Sequence, residues 1–101
     1  MCGYLGQISN QKIDRKLLEH CNEYIVCRGP DEKKSYFVDS STQNSQITNL
    51  NIGFIVNRLS ILDLSEDASQ PMVSKKHNTV LMINGEIYNH TEIRKELKGY
   101  R

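Results

Sequence analysis

The chain opens with Met1-Cys2-Gly3-Tyr4-Leu5-Gly6, a stretch that sets a cysteine beside the initiator methionine and follows it with strand-forming residues. Removal of the methionine would leave a thiol and a free α-amine together on Cys2. The amine titrates at about 7.7–8.0 and a thiol at about 8.5, so the amine can take the thiol's proton, as in N-terminal threonine nucleophiles. Tyr4, Leu5 and Ile8 favour a strand that would hold this terminus in a sheet. The alternative is a small residue in a frayed terminus, because termini are often disordered.

The composition describes one small domain without a strong electrostatic partner. The chain has 101 residues, 38% of them hydrophobic, and a formal net charge of +1. This charge gives no indication of binding to nucleic acid, and no apolar run has the length of a membrane span. Neither a signal peptide nor a paired C-x-x-C spacing is visible among Cys2, Cys21 and Cys27. A cytoplasmic protein with free thiols is therefore expected, without a disulfide framework or zinc ribbon.

The first half of the sequence predicts a strand, a helix and two further strands. The first strand covers Gly3–Ser9, and Asp14 is placed to cap a helix that runs through Cys21. Helical spacing predicts that this helix turns Leu17, Leu18, Cys21 and Ile25 toward the core. Residues 34–38 read as the next strand and residues 40–45 as a hairpin loop. Two strand-like runs follow in residues 47–64, of which residues 52–56 form a continuous apolar run typical of a strand covered on both faces.

The second half predicts a hairpin and a final helix. Residues 79–83 are the strongest strand signal, and they lead directly into Asn84-Gly85, a dipeptide that commonly joins two strands. Residues 86–88 would be the return strand. Asn89 and Glu92 then fit a capping box at the start of a helix that contains Ile93. Together the elements predict an α+β fold with antiparallel pairing.

Four segments of the chain, in order, resemble the class II glutamine amidotransferase domain in the form found in asparagine synthetases. They are Met1-Cys2-Gly3 with Gly6, Arg28-Gly29-Pro30-Asp31, Arg58-Leu59-Ser60-Ile61-Leu62-Asp63 with Gln70-Pro71, and Asn84-Gly85-Glu86-Ile87-Tyr88-Asn89. Each segment alone is a weak signal, but the four in this order are specific and extend over nearly the whole chain. The resemblance implies that residues 1–101 are the N-terminal portion of such a domain. The implied fold is an N-terminal-nucleophile αββα sandwich, incomplete at the C-terminus.

The resemblance also assigns roles to individual residues. Cys2 would attack the side-chain amide of L-glutamine, while the Asn84 amide and the Gly85 N–H would form the oxyanion hole. Arg58 would bind the glutamine α-carboxylate with its planar guanidinium fork. The remaining glutamine-binding positions would be Leu59, Ser60, Ile61, Leu62 and Glu86. The bland alternatives are a hairpin turn at Asn84-Gly85 and a surface arginine at position 58.

The resemblance has consequences for partners and cofactors as well. The released ammonia would pass to a C-terminal synthetase domain, and ATP and Mg²⁺ would be needed only there, with no cofactor or metal in this segment. The sequence departs from the family at Asn57 and at the apolar run before it, and the chain ends within a helical pattern at Arg101. An isolated 101-residue fragment is therefore expected to be nearly inactive and to expose sheet edges, which leaves room for a homodimer.

Two other function classes compete with this interpretation. The first is a non-catalytic remnant that keeps the fold as a binding or interaction domain. The second is a metal-binding module built from histidines and cysteines, although their spacing matches no recognised ligand pattern. The residues concerned are His20, Cys21, Cys27, His77 and His90.

Overall fold

A computed structural model of the chain describes residues 2–41, 49–61 and 65–99. These residues form a small mixed domain with antiparallel sheets, as the sequence predicts. Short 3-10 turns cover Val26–Arg28 and Glu66–Ala68. The strands and helices are β1 (Gly3–Ser9), α1 (Arg15–Asn22), β2 (Glu32–Val38), β3 (Asn51–Arg58), β4 (Met72–Ser74), β5 (Thr79–Leu81) and α2 (His90–Glu96).

The larger sheet has three strands in the order β1-β3-β2, with both pairs antiparallel. The central strand β3 contains the predicted apolar run, and its Ile55 and Val56 are almost fully buried. In this register Gly3 lies opposite Asn57 and Glu32 lies opposite Arg58. The start of β1, the start of β2 and the end of β3 therefore meet at one end of the sheet.

Helix α1 begins where the sequence predicts, because the Asp14 carboxylate accepts a hydrogen bond of 3.0 Å from the backbone N–H of Leu17. Leu18 packs into the core with Ile13 and Ile55. The prediction that Leu17 and Cys21 face the core is wrong: the exposed fraction of Leu17 is 57%, and Cys21 is exposed. The eight-residue helix presents a narrow face to the sheet, and a polar residue occupies part of it.

That polar residue is Asn22, which pairs with Asn57 of β3. The Asn57 amide donates to Asn22 Oδ1 at 2.7 Å, and the Asn22 amide donates to Asn57 Oδ1 at 3.1 Å. Both side chains are buried, with exposed fractions of 3% and 0%. Since buried polar groups are costly unless they are paired, the reciprocal bonds allow two amides to fill a core position.

The second sheet is the short hairpin β4-β5, in which Met72 pairs with Leu81 and Ser74 with Thr79. Its turn covers residues 75–78, and Asn78 there has a φ of 49°. The predicted return strand at residues 86–88 is wrong, because β5 pairs with the preceding segment and residues 86–88 are not in a strand. Asn84 and Gly85 lack the positive φ angles that a type I′ hairpin turn requires.

Helix α2 starts after Asn89 as predicted, but the Asn89 side chain makes no capping hydrogen bond, so the predicted capping box is wrong. Ile93 and Leu97 lie one turn apart, and the Leu97 N–H donates a hydrogen bond of 2.9 Å to the Ile93 carbonyl oxygen. Both side chains are exposed. Much of the predicted loop at 40–45 and parts of the runs in 47–64 lie outside the described residues. Neither helix of the described segments has the length and apolar content of a bilayer-spanning segment.

Candidate functional site

Cys2 immediately precedes β1, at the end of the sheet where β3 finishes. Because Gly3 pairs with Asn57, Cys2 lies beside the segment that follows Arg58. The backbone N–H of Leu59 donates to the Cys2 sulfur at 3.5 Å, and the sulfur lies 3.9 Å from the Leu59 carbonyl oxygen. These contacts tie the thiol to the residue after Arg58 and hold it half-buried. The structure therefore gives no support to a loose terminal cysteine.

The Arg28-Gly29-Pro30-Asp31 segment packs against the end of β3 and is not a freely solvated loop. A Cβ atom at Gly29 would lie 2.1 Å from the Asn57 carbonyl oxygen, so only glycine fits this close backbone approach. Asp31 brackets the strand end: its N–H donates to the Arg58 carbonyl at 3.1 Å, and its carboxylate accepts from the Ser60 N–H at 2.7 Å. The segment thus fixes the direction in which the chain leaves Arg58.

Arg28 connects the same segment to the cysteine. Its Nε donates to the Cys2 carbonyl oxygen at 3.4 Å. Together with the bonds made by Asp31, this contact means that one loop supports both Cys2 and the residues after Arg58. The segment that contains Arg28 and Asp31 therefore contacts both the segment of Cys2 and the segment of Arg58.

Arg58 is a buried arginine with an exposed fraction of 8%. Its Nη1 donates to the Ser65 carbonyl at 3.0 Å and lies 3.6 Å from a carboxylate oxygen of Glu32. The pKa of Glu32 is held below its usual value, first by a hydrogen bond of 2.7 Å from the Ser69 hydroxyl and then by the Lys34 and Arg58 cations. The alternative of a surface arginine at position 58 is therefore wrong.

The loop that holds Asn84 and Gly85 is attached to the hairpin through Gln70. The side-chain oxygen of Gln70 accepts from the Ile83 N–H at 2.7 Å, and its side-chain nitrogen donates to the Ile83 carbonyl at 3.0 Å. In the sequence Gln70 stands out only as part of the Gln70-Pro71 motif, which indicates no contact for its side chain. A glutamine beside a proline gives no local signal for a partner that lies beyond a hairpin.

A cleft of about 520 Å³ brings most of the predicted site residues together. One wall, at the end of the sheet, carries Cys2, Arg58, Leu59 and Ile61, and a second wall, in the segment after β5, carries Asn84, Gly85 and Glu86, which are exposed. The remaining lining residues, none of them predicted from sequence as site residues, are Ala68, Gln70, Met72, Ile83 and Tyr88.

Two predicted glutamine-binding positions are not placed in this cleft. Ser60 does not line it, and its N–H is already bound to Asp31. Leu62 lies outside the described residues. Their roles in binding glutamine therefore stay predictions.

The histidines and cysteines proposed for a metal module do not assemble in the described segments. Within residues 2–41, 49–61 and 65–99, no three His, Cys, Asp or Glu side chains are placed to hold a metal ion. His20 instead contacts Glu23, with Nδ1 3.3 Å from the carboxylate, and packs edge-on against Tyr24.

Comparisons with known proteins identify the family of the whole chain. The family model described as a glutamine amidotransferase domain matches residues 1–101. A Bacillus subtilis asparagine synthetase (glutamine-hydrolyzing) 1 is 36% identical over 99% of this chain, and an asparagine synthetase (glutamine-hydrolyzing) from Brassica oleracea is 43% identical over 100%. The chain spans only 15% and 16% of the length of these two relatives. No solved structure gives a significant match.

Proposed function

This chain belongs to the glutamine amidotransferase domain family, and we propose that it performs the glutaminase half-reaction of an asparagine-synthetase-like enzyme. The observation that carries the proposal is that Cys2, Arg58, Asn84 and Gly85 line the same cleft. These residues supply a nucleophile, a carboxylate-binding cation and oxyanion donors, which together are the parts that acyl transfer from a glutamine side chain requires.

In the proposed reaction the Cys2 sulfur attacks the side-chain carbonyl carbon of L-glutamine and forms a carbon–sulfur bond. The thiol proton passes to the α-amine exposed by removal of Met1 and from there to the leaving nitrogen. The carbon–nitrogen bond breaks, ammonia leaves and a thioester remains. Water then cleaves the thioester, which releases glutamate and regenerates the thiol. The contact from the Leu59 N–H supports this role because it orients the sulfur before substrate binds.

The negative charge that develops on the carbonyl oxygen would be stabilised by the Asn84 side-chain amide and the Gly85 N–H. Oxyanion donors act through their fixed orientation, so their value depends on how firmly the loop is held. Both residues are exposed and line the same cleft as Cys2. Substrate would therefore bind between the end of the sheet and an exposed loop.

Arg58 would bind the glutamine α-carboxylate, and the backbone of residues 59–62 and the Glu86 carboxylate would complete the pocket. The bonds from Arg58 to Ser65 and Glu32 support this role by holding the guanidinium in place. A guanidinium has five N–H donors in a fixed fork, so it can keep these contacts and still face a carboxylate.

The proposed fold is the N-terminal-nucleophile αββα sandwich, with α1 on one face of the β1-β3-β2 sheet. On the opposite face Tyr4 and Ile8 are 46% and 60% exposed, which supports a second layer that covers them. The ammonia would be used by a synthetase domain, with aspartate as one acceptor class and sugars as another. ATP and Mg²⁺ would serve that domain.

The decisive test is covalent capture by a glutamine-like diazoketone in the full-length protein, read by intact mass. We expect one adduct on a chain that has lost Met1, together with ammonia release from glutamine. Cys2→Ala should abolish both, whereas Cys21→Ala and Cys27→Ala, which change exposed thiols outside the cleft, should leave them intact. Full activity with Met1 retained would refute the amine as the base. A folded protein without capture or ammonia release would favour the non-catalytic binding domain.

A further inference from the structure

The backbone ladder of the hairpin β4-β5 ends three residues before Asn84, the first of the proposed oxyanion donors. Its last backbone pair on that side is Met72 with Leu81. The same register, extended by two residues on each strand, places Gln70 opposite Ile83. Strand β4 begins at Met72, so Gln70 and Pro71 lie outside the backbone ladder.

The Gln70 side chain takes over where the backbone ladder stops. A primary amide has one acceptor oxygen and one donor nitrogen, as a peptide group does. Its oxygen accepts from the Ile83 N–H at 2.7 Å and its nitrogen donates to the Ile83 carbonyl at 3.0 Å. Both backbone groups of the residue directly before Asn84 are therefore bound by one side chain.

We propose that Gln70 is a positioning residue for the oxyanion hole, acting through Ile83 on Asn84 and Gly85. This inference rests on the proposed glutaminase function. Gln70 lies two residues before β4, and Asn84 and Gly85 follow Ile83 directly. The Gln70 amide therefore links the hairpin to the residue directly before the proposed oxyanion donors, whose orientation determines how well they stabilise the oxyanion. A displacement of about 1 Å at a reacting group can lower a rate by roughly 100-fold.

The amide chemistry gives a specific test, because both a donor and an acceptor are required. In Gln70→Glu the carboxylate can still accept from the Ile83 N–H but faces the Ile83 carbonyl without a proton to donate. A protonated carboxyl group restores the missing donor. An unperturbed glutamate titrates at about 4.3, so the variant should recover function as the pH falls toward this range.

The experiment compares the full-length parent with Gln70→Ala, Gln70→Glu and the control Gln7→Glu, which adds the same charge on an exposed residue of β1. We expect Gln70→Ala to lower kcat roughly 10- to 100-fold, with a smaller change in KM. Gln70→Glu should match this loss near pH 8, and its activity relative to the parent should rise toward pH 5. Gln7→Glu should track the parent at every pH. Equal kcat for parent and Gln70→Ala, or no recovery of Gln70→Glu on acidification, would overturn the proposal.

Amide hydrogen exchange separates this inference from the proposed function. The Ile83 N–H should exchange at least about tenfold faster in Gln70→Ala than in the parent, since its acceptor is gone. If the parent itself releases no ammonia from glutamine, the glutaminase proposal fails. The exchange rate still tests whether Gln70 binds the Ile83 N–H. Equally fast exchange of the Ile83 N–H in both proteins would refute the anchoring role of Gln70.

Discussion

The two walls of the cleft are held in very different ways. Cys2 and Arg58 lie at the end of a three-stranded sheet whose pairs run over seven residues, and Arg58 is 92% covered by neighbouring atoms, being only 8% exposed. Asn84, Gly85 and Glu86 are exposed and follow a hairpin with three paired residues per strand. The first wall is attached to the end of the three-stranded sheet, whereas the second follows a short ladder and is bound by the side chain of Gln70.

This difference predicts how substitutions in each wall affect stability and rate. A change beneath Cys2 or Arg58 disturbs buried residues at the end of the sheet and should lower the free energy of unfolding. A change beneath Asn84 removes little buried structure and should appear mainly in the rate, because loops with few buried contacts open at low cost. Substitutions matched in chemistry but placed in the two walls therefore test the comparison directly.

The largest expected effect is that of Gly29→Ala. The added Cβ would lie 2.1 Å from the Asn57 carbonyl oxygen and 2.6 Å from the Arg58 nitrogen, and backbone atoms cannot move aside by a rotamer change. We expect a loss of more than about 3 kcal/mol in the free energy of unfolding, above the usual cost of an overpacked core. Gly85→Ala has no atom within 4 Å of the new Cβ and should change stability by less than about 0.5 kcal/mol. Denaturant unfolding measures both, and similar losses would contradict the contrast between the walls.

An intermediate effect is expected for Asn57→Ala. The substitution removes both bonds to Asn22 and leaves a buried amide without its partner, which should cost about 2–3 kcal/mol in the free energy of unfolding. Asn84→Ala deletes the same atoms from an exposed residue and should stay within about 0.5 kcal/mol of the parent. Thermal and denaturant unfolding of the two variants give the answer. Equal stability of Asn57→Ala and the parent would mean that the amide pair is not part of what holds the core.

The smallest expected effect is the pH dependence that Glu32 contributes to stability. Its pKa is lower in the folded protein than the usual 4.5, so the stabilisation is fully present above that value and is lost as the pH falls through the lower, folded pKa. At neutral pH the free energy of unfolding of the parent should exceed that of Glu32→Gln by no more than about 1 kcal/mol. This difference should vanish in acid. Glu96→Gln, which removes a carboxylate from the exposed end of α2, is the matched control for the loss of one negative charge. A difference in the free energy of unfolding between parent and Glu32→Gln that does not shrink as the pH falls below 4.5 would contradict this account.

The sequence predicted the elements whose signals are local. The bounds of β1 and the Asp14 cap of α1 follow from residue type and spacing, and the structure agrees with both. The core face of α1 did not follow, because a hydrophobic pattern cannot foresee that Asn22 will be buried against Asn57. That pair exists only through a contact across many intervening residues.

The hairpin shows the opposite failure, a strong local signal that tertiary structure overrides. Asn84-Gly85 has the composition of a hairpin turn, yet β5 pairs with the preceding strand β4 through the turn at 75–78. For the cleft, the motif residues named from sequence as Cys2, Arg58, Asn84 and Gly85 do line one space. The supporting bonds of Asp31 and Gln70 could not be predicted, since neither residue type specifies a distant backbone partner.

The strand order β1-β3-β2 also limits when the strands can pair as the chain is synthesised. The first strand made by the ribosome finds its neighbour in the third, so β1 stays unpaired until translation has passed Arg58. Pairings between such distant segments form late and slowly. The sheet-borne wall of the cleft, which brings Cys2 and Arg58 together, therefore cannot assemble before β3 has been made and lies between the two earlier strands.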